Sequence, residues 1–225
     1  MAIILHIDTA TEFASVCLSD NLKILVFECN QEQKNHASFL QPAIKKMMLD
    51  ANIDLKNIDA ISVSNGPGSY TGLRVGLASA KGLCFTLNKP LITLNTLEVM
   101  AVASIEENNH SNFLYCPMID ARRMEVFTAL FTSELVLVKE TCSIILSEKN
   151  FADYLKNQQI IFSGSGAEKA ESIIHSNHAT FSRIQHSAKS MISLAYKKFL
   201  LKDFNDVVYT IPNYGKEFYT IAAKK

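Results

Sequence analysis

The order of strand and helix signals runs twice through this chain, and that repetition constrains the fold more than any single motif. Ile3, Leu5 and Ile7 alternate with Ile4 and His6 in a strand that stops at Asp8. Two further strand-like runs follow, around Ala14, Val16 and Leu18 and over LKILVFEC. From His36 the apolar period changes to three and four through Phe39, Leu40, Ala43, Ile44, Met47, Met48 and Ala51, which makes one helical face apolar. DAISVSN is a fourth strand, a helix is expected from about Ser69 to Leu87, and PLITLN is a fifth strand. A helix from Thr96 to Glu107 completes a β-β-β-α-β-α-β-α series. The polar stretch EENNHSN separates it from a second series that opens on FLYCPMID, ending at Asp120, then EVFTALFT and ELVLVKE. A helix over SEKNFADYLKN with Ser147 as its cap, the strand QQIIFSG, a helix over GSGAEKAESIIHS, the strand ATFSRI and the amphipathic SAKSMISLAYKKFLLKD complete it. Each series ends its first strand in Ile-Asp and places a Gly-x-Gly turn after its fourth. The repeat implies two tandem α/β lobes, residues 1–107 and 108–225, each a mixed sheet with flanking helices. The tyrosine-containing tail VVYTIPNYGKEFYT is expected to be irregular, broken by Pro212 and Gly215.

With 225 residues, 48% hydrophobic and 20% charged, the chain has material for a sizeable core. Lys+Arg and Asp+Glu both number 22, so no basic surplus exists with which the chain would grip nucleic acid alone. No apolar run is long enough for a membrane span, and MAIILHID reads as a strand and not as a signal peptide. The five cysteines form no C-x-x-C pair and lie in apolar runs, as buried reduced thiols of a cytoplasmic protein would.

The stretch SNGPGSYTGLRVG, residues 64–76, poses the functional question. A Gly-rich turn opening a helix is a ready phosphate site. Gly66-Pro67-Gly68 forms a tight turn, with positive φ available at either glycine, and Ser69 is placed to cap the helix. No P-loop lysine follows. Gly72, Gly76 and Ala80 then form a stripe of small residues along one helical face, and each helical glycine costs about 1 kcal/mol relative to alanine. Close backbone approach would repay that cost. The stripe meets either the helix's own sheet or another subunit. Arg74, a cation in the first turn, opposes the helix dipole and calls for an acid such as Glu12, a partner's carboxylate, or an anion.

Four stretches resemble the TsaB (YeaZ) family: ILHIDTATEFASVCL, NHASFLQPAI, GPGSYTGLRVGLASAKGL and MIDARRMEVFTALF. The lobes with their strand-terminal aspartates resemble the wider actin, hexokinase and Hsp70 superfamily, an actin-like (ribonuclease H-like) fold. The resemblance implies a non-catalytic dimerisation subunit in synthesis of threonylcarbamoyladenosine at position 37 of tRNA. It implies pairing with a TsaD-like catalytic subunit, a TsaE-like ATPase reached through the complex, a homodimer when alone, and tRNA contact mainly through the complex. It shifts the small stripe toward a partner interface. The expected partner residues are Gly66, Pro67, Gly68, Ser69, Tyr70 and Thr71 of the turn, Gly72, Arg74, Gly76 and Ala80 of the helix, and His36 and Met47 of the preceding helix.

Superfamily members that hydrolyse ATP clasp its phosphates in two Gly-containing hairpin turns. Here the corresponding turns, Asp8-Thr9-Ala10-Thr11-Glu12 and Asp120-Ala121-Arg122-Arg123, contain no glycine. Asp8 and Asp120 either position a metal and a water or cap their strand-end turns. Weak residual nucleotide binding would fall to Asp8, Thr9, Thr11, Asp120 and Arg122, with no cofactor required. No metal site can be assembled: His36 stands alone, and His175 and His178 straddle a helix end. An active small-molecule kinase or ATPase is the alternative on this fold. A peptidase is disfavoured, since neither H-E-x-x-H nor G-x-S-x-G is present.

Overall fold

The structure, a computed structural model, describes residues 1–30 and 35–216. The first sheet is built from β1 (Ile3–Asp8), β2 (Ser15–Asp20), β3 (Lys23–Cys29), β4 (Ala60–Ser64) and β5 (Leu91–Leu94), in the order β3-β2-β1-β4-β5. β1 to β3 are antiparallel neighbours, whereas β4 and β5 join β1 in parallel. The second sheet, from β6 (Leu114–Asp120), β7 (Glu125–Phe131), β8 (Leu137–Ile145), β9 (Ile160–Ser163) and β10 (Ala179–Ser182), has the same order and sense, read as β8-β7-β6-β9-β10. The duplication legible in the sequence is a duplication of topology.

Both faces of the first sheet are covered, so β1 is buried along its whole length. α1 (His36–Asp50) and α2 (Tyr70–Leu87) cover one face through a shared core with Leu5, Ile7, Val16, Leu18, Ile61 and Val63. The other face meets α3 (Thr96–Asn108) and α6 (Ile192–Leu201), with Ile4, Ile92, Val99, Val102 and Met191 in one cluster. α3 also packs Leu97, Met100 and Ala101 against Ile119, Phe127 and Phe131 of the second sheet. A helix between two sheets must be apolar nearly all round, and eight of its residues are buried. The second sheet begins at Leu114, past the polar stretch after α3, and the segment beyond Ser187 crosses back to the first sheet, where Ala188 N–H donates to Ser15 Oγ at 2.9 Å.

Three expectations change. The helix expected over residues 147–157 shrinks to α4 (Ala152–Leu155), because Ser147 bonds through its N–H and hydroxyl to the Asn150 side chain and holds a turn there. The helix expected over residues 164–176 is the short α5 (Ala167–Glu171). Among the cysteines, Cys17, Cys84 and Cys116 are buried, but Cys29 is exposed on the outermost strand. The expected irregular tail is irregular as far as residue 216, and its last residues lie outside those described. No helix among the described residues is long and apolar enough to cross a membrane.

Candidate partner-docking face and inter-lobe turns

Ser69 caps α2 as its position suggests, its Oγ accepting from Gly72 N–H at 3.2 Å. The glycines that follow serve an internal contact. Thr9 Oγ1 donates to the Gly72 carbonyl at 2.8 Å, and Ser69 N–H donates to the Ala10 carbonyl at 2.7 Å. A Cβ on Gly68 would strike the Ala10 carbonyl, one on Gly72 the Thr9 carbonyl, and one on Gly76 the Thr9 hydroxyl. Gly72, Gly76 and Ala80 are all buried within the chain. The small stripe is therefore spent inside the chain, Gly72 and Gly76 on the β1–β2 turn and Ala80 in the first core, and the expectation that it meets another subunit is corrected. Of the two turn glycines only Gly66 has positive φ, +105°, and the Asn213 carbonyl presses on it.

The same packing accounts for the first candidate nucleotide turn. His36 Nε2–H donates to the Thr11 carbonyl at 2.8 Å, so His36 is buried and ties the start of α1 to the turn instead of facing a partner. Residues 9, 10 and 11 each give an atom to α1, to α2 or to its cap Ser69, so the turn is tied down on both helices. Met47, expected at an interface, is fully buried in the first core.

Both strand-terminal aspartates cap their turns. Asp8 Oδ1 accepts from Ala10 N–H at 3.1 Å and from Ser64 Oγ at 2.6 Å, while Asp120 Oδ1 accepts from Arg122 N–H at 2.6 Å. Asp8 is only 1% exposed, and its Oδ2 lies 3.2 Å from His186 Nε2. Burial pushes the Asp8 carboxyl up, but His186, Ser64 and the Ala10 N–H together bring it below its usual range. Asp120 is half exposed and holds Lys169 Nζ at 2.6 Å. Among the described residues no group of three or more His, Cys, Asp or Glu side chains is arranged to hold a metal.

The surface α2 offers outward is a second stripe, in which Thr71 and Arg74, both expected at a partner interface, stand in line with small residues. Thr71, Arg74, Ala78, Gly82 and Phe85 are exposed at spacings of three and four, and a Cβ on Gly82 would meet nothing within 4 Å. α1 lies alongside, with Gln41 Nε2 donating to Ser79 Oγ at 3.1 Å. Phe85 and Leu49, at 79% and 72% exposed, mark the apolar content of this two-helix face. Arg74 finds aromatic company: its guanidinium lies 4.1 Å from the Tyr70 ring centroid, and its Nε donates to Tyr214 Oη at 2.8 Å.

Tyr214 belongs to a strap, residues 205–216, that borders the same face. Asn205 bonds to both Leu91 and Thr93 of β5. Lys81 Nζ donates to the carbonyls of Val208 and Thr210, and Asn65 binds Ile211 and Asn213. The strap then reaches the second lobe, where Gly215 lies against Phe127 and Lys216 pairs with Glu125. Its exposed Val208, Tyr209 and Ile211 extend the apolar surface beside α2. Nothing local in the sequence announces the strap or His186, since every one of these contacts is long-range.

A family model described as TsaD, tRNA N6-adenosine threonylcarbamoyltransferase, matches residues 30–222. The chain is 29% identical to the tRNA threonylcarbamoyladenosine biosynthesis protein TsaB of Bacillus subtilis, over 72% of this chain and 70% of that protein. It is 37% identical to the Escherichia coli TsaB over 56% of this chain, an alignment that spans about half, 53%, of the relative. The solved structure of YeaZ from Pseudomonas aeruginosa superposes with a TM-score of 0.82 over 95% of this chain and all of that one, at 23% identity, and so shares the fold. With the family model covering most of its length and TsaB proteins as its relatives, this chain belongs to the threonylcarbamoyltransferase (TsaD) family, among the TsaB (YeaZ) proteins.

Proposed function

We propose that the chain is a non-catalytic subunit of tRNA threonylcarbamoyladenosine synthesis, and that it docks a TsaD-like catalytic subunit on the outward face of α1 and α2. One observation carries the docking site: the exposed stripe Thr71-Arg74-Ala78-Gly82, with open space at Gly82 and the exposed Phe85 and Leu49 at its margins. Small residues let a partner helix approach closely, and large exposed apolar side chains beside them supply area to bury. The match to a model described as TsaD supports a partner of related fold. The subunit forms a homodimer when alone, meets a TsaE-like ATPase through the complex, and needs no cofactor of its own. The commitment of two donors of this turn supports the non-catalytic assignment: the Thr9 hydroxyl is bonded to the Gly72 carbonyl and the Ala10 N–H to Asp8 Oδ1.

Depleting the protein from its cells and measuring threonylcarbamoyladenosine in bulk tRNA by mass spectrometry tests the assignment. The modified nucleoside should fall at least severalfold. An unchanged level would overturn it.

A further inference from the structure

The turn between β6 and β7 holds Arg122 at φ +70° and Arg123 at φ +49°, two consecutive left-handed residues of which neither is glycine. That conformation costs an L-residue roughly 1–2 kcal/mol, and Asn or Gly would relieve it. Both arginines are exposed, and among the described residues neither guanidinium has a hydrogen bond or ion pair. The nearby acids are already engaged: Asp120 with Lys169 and the Arg122 N–H, Glu125 with Lys216 and Ser143. Among the described residues two carboxylates thus face four cations, and the turn is a cationic tip on a chain of zero net charge.

We infer that Arg122 and Arg123 contact the phosphate backbone of the tRNA directly, an inference that rests on the functional reading above. A free nucleotide binds in a concave, largely enclosed site. This tip stands exposed, as suits a contact to the backbone of a folded RNA, where guanidinium forks grip phosphates in pairs of hydrogen bonds. Its place also fits: the strap runs from Tyr214 beside Arg74 to Lys216, which pairs with Glu125 only two residues from Arg123. The tip thus lies within two strap residues of the Arg74 side of α2, where the partner is proposed to dock.

The test uses the reconstituted complex with the TsaD-like subunit of the same cell, comparing the parent with Arg122→Asn/Arg123→Asn. Asparagine tolerates the left-handed region, so the variant should melt no lower than the parent and co-purify equally well. Its affinity for a tRNA transcript should fall about tenfold at about 0.1 M salt, and the slope of log K against log salt should flatten by about 1 to 2, as loss of one or two phosphate contacts requires. Binding of a fluorescent ATP analogue should be unchanged. Equal tRNA affinity and slope in both proteins, with pairing intact, would overturn the inference alone. Loss of ATP-analogue binding with tRNA binding retained would overturn it in favour of a nucleotide site. Failure of the parent to pair would instead remove the functional reading, and this inference with it.

Discussion

Gly76 and His6 show how single residues set the limits of this molecule. A Cβ on Gly76 would strike Thr9 Oγ1, a hydroxyl held in place by its bond to the Gly72 carbonyl. Gly76→Ala should therefore destabilise the chain by about 1–3 kcal/mol, overriding the usual helical gain from alanine. Thr9→Ala should recover part of that loss, seen as favourable coupling in a double-mutant cycle by chemical denaturation. Additive losses would mean that the two do not touch. His6, fully buried at the centre of β1, bonds Ser62 at 2.7 Å and Ser19 at 2.9 Å, and burial lowers its pKa to about 3. The folded state resists a proton that the unfolded chain accepts from about pH 6.5 downward. Its contribution is thus complete above that pH and declines, by about 1.4 kcal/mol per unit, as pH falls toward 3. His6→Gln should flatten the stability profile between pH 6.5 and 5 by about 2 kcal/mol. Equal slopes would contradict the assignment.

At the scale of elements, α2 carries two stripes of small residues with opposite tasks. Gly72 and Gly76 face the β1–β2 turn and Ala80 the first core, while Ala78 and Gly82 face outward. The sequence shows both sets as small residues at helical spacing, and spacing alone does not tell which side faces the sheet. The identity of the outward side depends on where the turn at residues 8–12 lands, a contact from more than fifty positions away. The two glycines should respond in opposite senses. Gly82→Ala, with open space at its Cβ, should raise stability by about 1 kcal/mol in thermal or denaturant melts, where Gly76→Ala lowers it. A loss at Gly82 would show that the outward face is less free than its geometry. The helices expected in the second half were overestimated for a related reason. Their polar side chains, Asn150 on Ser147 above all, bond locally and hold turns that periodicity does not reveal.

For the whole molecule, the repeat of strands and helices was readable because each sheet needs its own alternation, and the family followed from motifs within it. What could not be read was the use made of those motifs. Asp8 and Thr9 look like the floor of a phosphate clasp, yet Thr9 is spent on α2, and Asp8 on Ser64, Ala10 and His186. The strap from Asn205 to Lys216 joins both lobes beside the docking face, through contacts that no local pattern encodes. The central claim is that partner docking belongs to the outward side of α2. Its most direct test is light scattering on size-exclusion chromatography of the chain mixed with the TsaD-like subunit, for the parent and for Gly82→Leu. The parent should elute as a complex and Gly82→Leu as separate, folded components, with affinity reduced at least tenfold. A Gly82→Leu chain that pairs as tightly as the parent would contradict the account.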